Sequence, residues 1–251
     1  NKDMEFYNKI KSIILSQFKG IQLYERKIKG DCIELSIYEQ KVVKFLENIG
    51  LKNTKSHGKE IPFSIFRSTK ENVKNFLIAL FEGDGCVIFR DEKKYKGKMI
   101  YINYDSKSET LIKQLKILLL NFGVVSRVSS IDKRSNCFKL ALYGVENVEN
   151  FYSNIGFFSK RKQDKLRLIK ELNSLRMSRN DFIPFLSDYL RNKYDDSFLL
   201  KNNFDRYNLL RKNYDRIIEI VDFEDKQLLD FLLENRYYFD QLVVVKKTNN
   251  K

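Results

Sequence analysis

The chain has 251 residues, 43% hydrophobic and 32% charged, enough for one large or two modest domains with a buried core. It carries 47 Lys and Arg against 33 Asp and Glu, a net charge of +14. A surplus of that size favours a polyanion partner, because each neutralised phosphate releases a condensed counterion. No apolar run approaches the roughly 18 residues of a membrane span, and no secretory signal opens the sequence, which predicts a cytoplasmic, nucleoid or organellar protein that is not secreted. His57 is the single histidine, which excludes a His-rich metal site and argues against a Ser-His-Asp triad. Cys32, Cys86 and Cys137 are odd in number and form no CxxC pair, which predicts a reducing compartment and buried, inert thiols. The first residue is Asn1 rather than Met, so the chain reads as a fragment or a processed product.

In chain order, Phe6, Ile10, Ile13, Ile14 and Phe18 recur at helical spacing, which predicts a helix over 5–18. Residues 21–26 and 32–38 alternate like a hairpin with Gly30 in its loop. A second helix is predicted over 42–49, with Gly50 placed to end it. Residues 70–85 read as a helix, followed by strands near 87–90 and 98–104. Then come a helix over 110–122, strands over 124–129 and 137–143, and a helix over 148–155. Beyond about residue 172 the pattern changes to helices over 182–192, 205–213 and 226–235, with a short strand over 241–246. This last region reads as a basic, Tyr-rich accessory domain, which suits DNA and equally suits a solvated helical face.

An internal repeat runs through the first two thirds. Cys32 in Asp31–Tyr38 aligns with Cys137 in Asn136–Tyr143, an offset of 105. Phe45 in Phe45–Leu51 aligns with Phe151 in Phe151–Phe157, an offset of 106, and Phe18 aligns with Phe122, an offset of 104. The helix over 70–85 has no counterpart in the first copy, since shifting Gly85 back by 105 places it before residue 1. The repeat therefore predicts an upstream helix and strand pair.

Within the 70–85 helix, Ala79 and Gly83 are four residues apart and share a face, where two small side chains admit a second helix at close range. Glu82 and Asp84 stand at its C-terminal end, facing the negative pole of the helix dipole, which invites a compensating cation. Two such ends meeting would hold a hard divalent ion through oxygen ligands, as Mg²⁺ prefers.

The run Phe76-Leu77-Ile78-Ala79-Leu80-Phe81-Glu82-Gly83-Asp84-Gly85 resembles the motif of the LAGLIDADG homing endonucleases. Ile61-Pro62-Phe63 ahead of it resembles the lead-in of intein-borne members, Ile155-Gly156-Phe157-Phe158-Ser159-Lys160-Arg161-Lys162-Gln163 resembles the family's later conserved block, and Ile183-Pro184 and Phe239-Asp240-Gln241-Leu242-Val243 resemble the region where the endonuclease ends and the splicing fold resumes. The resemblance implies an α+β fold: a saddle of two pseudo-symmetric αββαββα repeats, the first N-terminally incomplete, with a C-terminal helical domain. The domains would be 1–61, 62–172 and 173–251. It implies a site-specific, metal-dependent DNA endonuclease of an intein that breaks both strands of a long target and leaves short 3′ overhangs. Once complete, the protein would be a monomer with a pseudo-twofold axis, bound to double-stranded DNA and to no membrane.

Carried over to this sequence, the family's metal-binding aspartate is Asp84, with Gly85 beside it, and the cofactor is Mg²⁺. Glu82 matches the acid two positions earlier. The lysines near the scissile phosphates match Lys162 and, one repeat earlier, Lys59; Lys160, Arg161, Lys55 and Lys165 are their neighbours and rivals. Strand alternation nominates Arg90, Tyr101, Asn103, Arg127 and Lys139 as DNA contacts, with Gln22, Tyr24 and Arg26 in the first copy. The splicing residues are absent: position 1 is neither Cys nor Ser, and the chain ends Asn249-Asn250-Lys251, so this piece would not splice. The alternative is a non-cleaving DNA-binding protein or an RNA maturase on the same fold.

Overall fold

A computed structural model describes residues 4–28, 32–92, 97–132, 135–171 and 181–239. Gly30 of the first hairpin and the strand expected over 241–246 lie outside these residues. The chain divides into two compact units, residues 1–174 and 175–251.

The first unit opens with α1 (Met4–Gln17), the hairpin β1 (Tyr24–Lys27) and β2 (Ile33–Ser36), and α2 (Gln40–Asn48). Gly50, at φ +100°, turns the chain out of α2, and the Leu51 N–H reaches back to the Leu46 carbonyl at 2.9 Å. This copy buries little. α1 has no buried residue, β1 is exposed throughout, and α2 buries Val42 alone.

After the short α3 (Phe63–Phe66) comes α4 (Lys70–Asp84). The Thr69 side chain caps its start, accepting from the Asn72 N–H at 3.3 Å, with Glu71 in the first turn to match the dipole. Val73, Leu77 and Phe81, spaced by four, form its buried face. β3 (Gly85–Glu92) follows with no linker. β4 (Gly97–Ser106), α5 (Glu109–Leu120), β5 (Arg127–Asp132), β6 (Cys137–Leu142), α6 (Val145–Asn154) and α7 (Lys160–Arg167) complete the unit. The four strands make one antiparallel sheet in the order β3-β4-β6-β5. Val87 pairs with Ile102 and Ile102 with Leu142, so one face of the sheet meets α4, α5 and α6 in a single apolar core.

The sheet also corrects the reading of the thiols. Cys86 precedes Val87 on β3, so alternation turns it to the face opposite the core, where it is exposed; Cys32 is exposed as well, and Cys137 is half-buried.

The second unit is helical: α8 (Leu186–Lys193), α9 (Ser197–Lys201), α10 (Tyr207–Ile218) and α11 (Phe223–Asn235). Its core includes Leu190, Phe204, Leu210, Ile217 and Leu229. A buried carboxylate, Asp225, accepts from the Tyr189 and Tyr194 hydroxyls at 2.7 Å each and pairs with Lys193 at 3.0 Å. α8 begins later than expected because Phe185, in the left-handed region at φ +62°, turns the chain first. The expectation of a basic domain does not hold. Residues 175–251 contain 14 Lys and Arg against 13 Asp and Glu, whereas residues 1–174 hold 33 against 20, so nearly all of the surplus lies in the first unit. Among the described residues no helix is long and apolar enough to cross a membrane.

Candidate functional site

The chemistry-bearing residues gather where α4 meets β3. Asp84 is the last residue of the helix, Gly85 the first of the strand, and Asp84 is exposed. Gly85 is extended, at φ −78° and ψ 143°, so its value is space rather than an unusual backbone. A Cβ there would lie 2.5 Å from the Phe81 carbonyl oxygen, which keeps the helix end and the strand start tight together.

Beside Asp84 opens a cleft of about 580 Å³ between α2 and α4, walled by Val43, Leu46, Phe76 and Leu80 and edged by Lys59, Asp84 and Tyr104. Lys59 is exposed there. Its backbone is clamped: the Ser108 hydroxyl donates to the Lys59 carbonyl at 2.5 Å, and two residues on the Ile61 N–H donates to Gln114 Oε1 at 2.7 Å. Ser108 also caps α5 by accepting from the Leu111 N–H at 3.2 Å. Tyr104 sits opposite Gly85 in the β3–β4 register, on the core face of the sheet, and its hydroxyl donates to Asp84 Oδ2 at 3.4 Å. Burial, and secondarily the Asp84 charge, hold the Tyr104 phenol protonated well above its usual range. Tyr104 was not nominated from the sequence; following Ile100 and Ile102 at period two, it reads as a core aromatic, and only the pairing with Gly85 shows its polar end at the site.

The other sequence-nominated lysine, Lys162, approaches the same helix end from α7. Its ammonium donates to the carbonyls of Phe81 (3.3 Å), Glu82 and Gly85 (2.8 Å). It also lies 3.8 Å from the Glu82 carboxylate and 5.4 Å from the centroid of the Phe157 ring. Glu82, 6% exposed, accepts from the Phe158 and Ser159 N–H groups at 2.9 and 3.0 Å, the amides that lead into α7. The Ser159 hydroxyl makes no cap, so a carboxylate from α4 satisfies the start of α7 instead.

Ala79 and Gly83 both lie on an exposed face of α4, and a Cβ built on Gly83 has nothing within 4 Å. Among the described residues no helix packs on that face closely enough to need the glycine.

On the outward face of the sheet, Arg90 and Arg127 are exposed and Asn103 is half-buried, its Oδ1 without a hydrogen-bond partner. Lys139 pairs with Asp105 across the strands at 3.9 Å. Tyr101 faces the expected side but is only 7% exposed, covered by the Tyr143 ring at 5.3 Å and the Arg90 guanidinium at 5.8 Å. It therefore supports its neighbours and offers little surface to a duplex. In the first copy Gln22, Tyr24 and Arg26 are exposed; the Tyr24 hydroxyl donates to Gln22 at 3.0 Å, and Arg26 bonds Glu34 at 2.8 and 3.1 Å.

Among the described residues no group of three or more His, Cys, Asp or Glu side chains could by itself hold a metal. What the site offers a divalent ion is one exposed carboxylate, Asp84, at a helix end. That suits Mg²⁺, which keeps several waters and commonly takes one or two carboxylates together with substrate phosphates.

Residues 71–156 match the LAGLIDADG-like domain, the span from α4 through α6. The chain is 31% identical over 181 residues to a probable translation initiation factor IF-2 of Methanocaldococcus jannaschii, aligning 68% of this chain with 14% of that protein. It is 29% identical over 174 residues to a glutamine–fructose-6-phosphate aminotransferase of the same organism, 66% of this chain with 14% of that protein. It thus spans a minor part of each relative. Among solved structures it is similar to variants of the homing endonuclease I-DmoI, at 15% identity and a TM-score of 0.45, covering 62% of this chain and 71% of that one. I-DmoI has also been solved in complex with DNA and Mn and with DNA and Ca. The fold is thus mixed α and β, LAGLIDADG-like with antiparallel sheets, followed by C-terminal helices.

Proposed function

We propose that this chain is the cutting part of a site-specific, metal-dependent double-strand DNA endonuclease carried as an intein-type insert, a homing endonuclease. The observation that carries the reading is Asp84: an exposed carboxylate at the junction of the motif helix and the sheet, at the edge of a cleft that also holds Lys59. The net charge of +13 on residues 1–174 supports a polyanionic substrate. The insert reading is supported by the relatives, since an initiation factor and an aminotransferase share no activity yet each matches this chain over a part of its length.

In this reading Asp84 would be the protein ligand that holds Mg²⁺ together with a substrate phosphate. The bound ion supplies charge neutralisation of the phosphate and a more acidic water. Tyr104, kept protonated, donates to Asp84 Oδ2 and so helps fix the direction in which the carboxylate faces. Lys59, its backbone clamped by Ser108 and Gln114, presents its ammonium to the phosphate from across the cleft. Arg90, Asn103, Arg127 and Lys139 lie along the major groove, with Gln22, Tyr24 and Arg26 extending the row. Cutting the opposite strand calls for a second motif helix on the Ala79–Gly83 face.

The second reading is a non-cleaving DNA-binding protein or RNA maturase. It is favoured by Asp84 being the one exposed carboxylate at this helix end, since Glu82 is buried against α7. The separating experiment incubates the parent protein with DNA of its host sequence joined across the insertion point, plus Mg²⁺. Cutting by the natural protein, reduced more than about 100-fold in Asp84→Asn with DNA binding retained, supports the nuclease. Tight binding without cutting by the natural protein supports the second reading.

A further inference from the structure

We infer that Lys162 and Glu82 form a tertiary cap that aims Asp84, making Lys162 a positioning residue and leaving Lys59 as the lysine that meets the phosphate. The inference rests on the nuclease reading above for its consequence, and on the local geometry for its mechanism.

An ammonium has three protons. Those of Lys162 are directed at three backbone carbonyls, of Phe81, Glu82 and Gly85. These are the residues three before, two before and one after Asp84. Carbonyls run short of intrahelical partners at a helix end and the dipole there attracts a cation; the Phe81 carbonyl also accepts the Gly85 N–H, and Gly85 already belongs to β3, so Lys162 bridges the end of α4 and the start of the strand. A lysine so engaged has little left with which to orient or deprotonate a water. Its side chain is also only 12% exposed.

The cap works in both directions. Glu82 points away from the cleft and binds the amides at the start of α7, while Lys162, on the first turn of α7, binds the end of α4. The two contacts close a ring between the helices, with the Glu82–Lys162 ion pair inside it. Because β3 follows α4 without a linker, Asp84 sits at a corner with no slack. Carbonyls held on both sides of it set the direction of its Cα–Cβ bond, and so where the carboxylate meets an ion. Outer groups that orient a metal ligand commonly change metal affinity by about 10- to 100-fold.

The test uses the full chain and its parent protein with Lys162→Met, Lys162→Arg, Glu82→Gln and the Lys162→Met/Glu82→Gln double variant. In the metal-free protein, amide hydrogen exchange over residues 84–87 is expected to speed up about 10-fold in Lys162→Met and in Glu82→Gln, and less in Lys162→Arg, which keeps charge and donors. In cleavage, both single variants are expected to need about 10-fold more Mg²⁺ for half-maximal rate, with most of the rate restored at saturation. The double variant is expected to be little worse than either single, since both break one ring. Abolished cutting at every Mg²⁺ concentration in Lys162→Met, with exchange unchanged and Glu82→Gln normal, overturns the inference and returns Lys162 to direct action on the reaction. Should Lys162→Met fail to fold, Lys162→Arg and Glu82→Gln decide by the same two readouts. A natural protein that cuts no DNA defeats the nuclease reading alone, because exchange in the metal-free variants still decides whether the cap exists.

Discussion

Phe45 and Phe151 occupy the same place in the two copies of the repeat, yet one is 49% exposed and the other 0%. Ile49 and Ile155, at the next equivalent position, are 37% and 6% exposed. Both copies form their helices and hairpin, and both leave the last helix through a glycine at positive φ, Gly50 and Gly156. The difference lies in what they pack against. The second copy has α4 and the β3–β4 pair, so its hairpin joins a four-stranded sheet and its helices close over that sheet. The first has a lone two-stranded ribbon, a unit too small to bury a core. One pattern thus gives the same local elements twice and a core once.

The sharpest way to break that comparison is to truncate the equivalent phenylalanines. Phe151 packs on Phe81 and Phe157 at ring centroid distances of 5.0 and 5.4 Å. Phe151→Ala is expected to cost about 3–5 kcal/mol in denaturant unfolding of the first unit. Phe45→Ala is expected to cost about 1 kcal/mol or less. Similar losses at both sites would mean that the first copy has a core of its own.

Gly83→Ala sharpens the same contrast on the motif helix. With open space around its Cβ, alanine removes the helix penalty of glycine and is expected to raise stability by up to about 1 kcal/mol. Were a second motif helix docked on that face, as proposed above, the sign would reverse, so the direction of the shift in thermal melting of Gly83→Ala tells the two states apart.

The smallest effect concerns the second unit, which completes its own core and serves as a reference. Asp222 is held down to about 2, first by the hydrogen bond from Lys193 and next by the Asp225 N–H. A carboxylate lowered in the folded state contributes stability above its unfolded value of about 3.9 and loses it as pH falls further. A modest weakening of residues 181–235 between about pH 4 and pH 2, absent in Lys193→Met, is expected by circular dichroism. An identical acid profile in that variant would remove the ion pair from the account.

Much of the site was legible before any tertiary structure. The Ala79–Gly83 spacing and the Asp84-Gly85 ending announced the motif helix and its acidic foot, because helix-face spacing and helix termination are local properties. Ile100, Ile102, Leu140 and Leu142, which alternate with the outward residues nominated from the sequence, lie on the core face. Alternation did not reveal that Tyr101 is covered, since that depends on Tyr143, just beyond the end of β6. It also left the Tyr104 hydroxyl unremarked, because the opposite residue, Gly85, comes 19 positions earlier.

The chain by itself determined the helices and strands of the two repeat copies up to about residue 155, that a pattern is repeated, and which carboxylate ends the motif helix; these follow from side-chain periodicity and backbone preference over a few residues, whereas the short α3, α7 and α9 carried no such signal. Only the folded molecule decided which copy acquires a core, that Glu82 and Lys162 face each other from α4 and α7, and that Lys59 shares a cleft with Asp84. Those outcomes depend on pairings across tens of residues, where burial and hydrogen-bond satisfaction of the whole unit select among contacts that local sequence leaves equal.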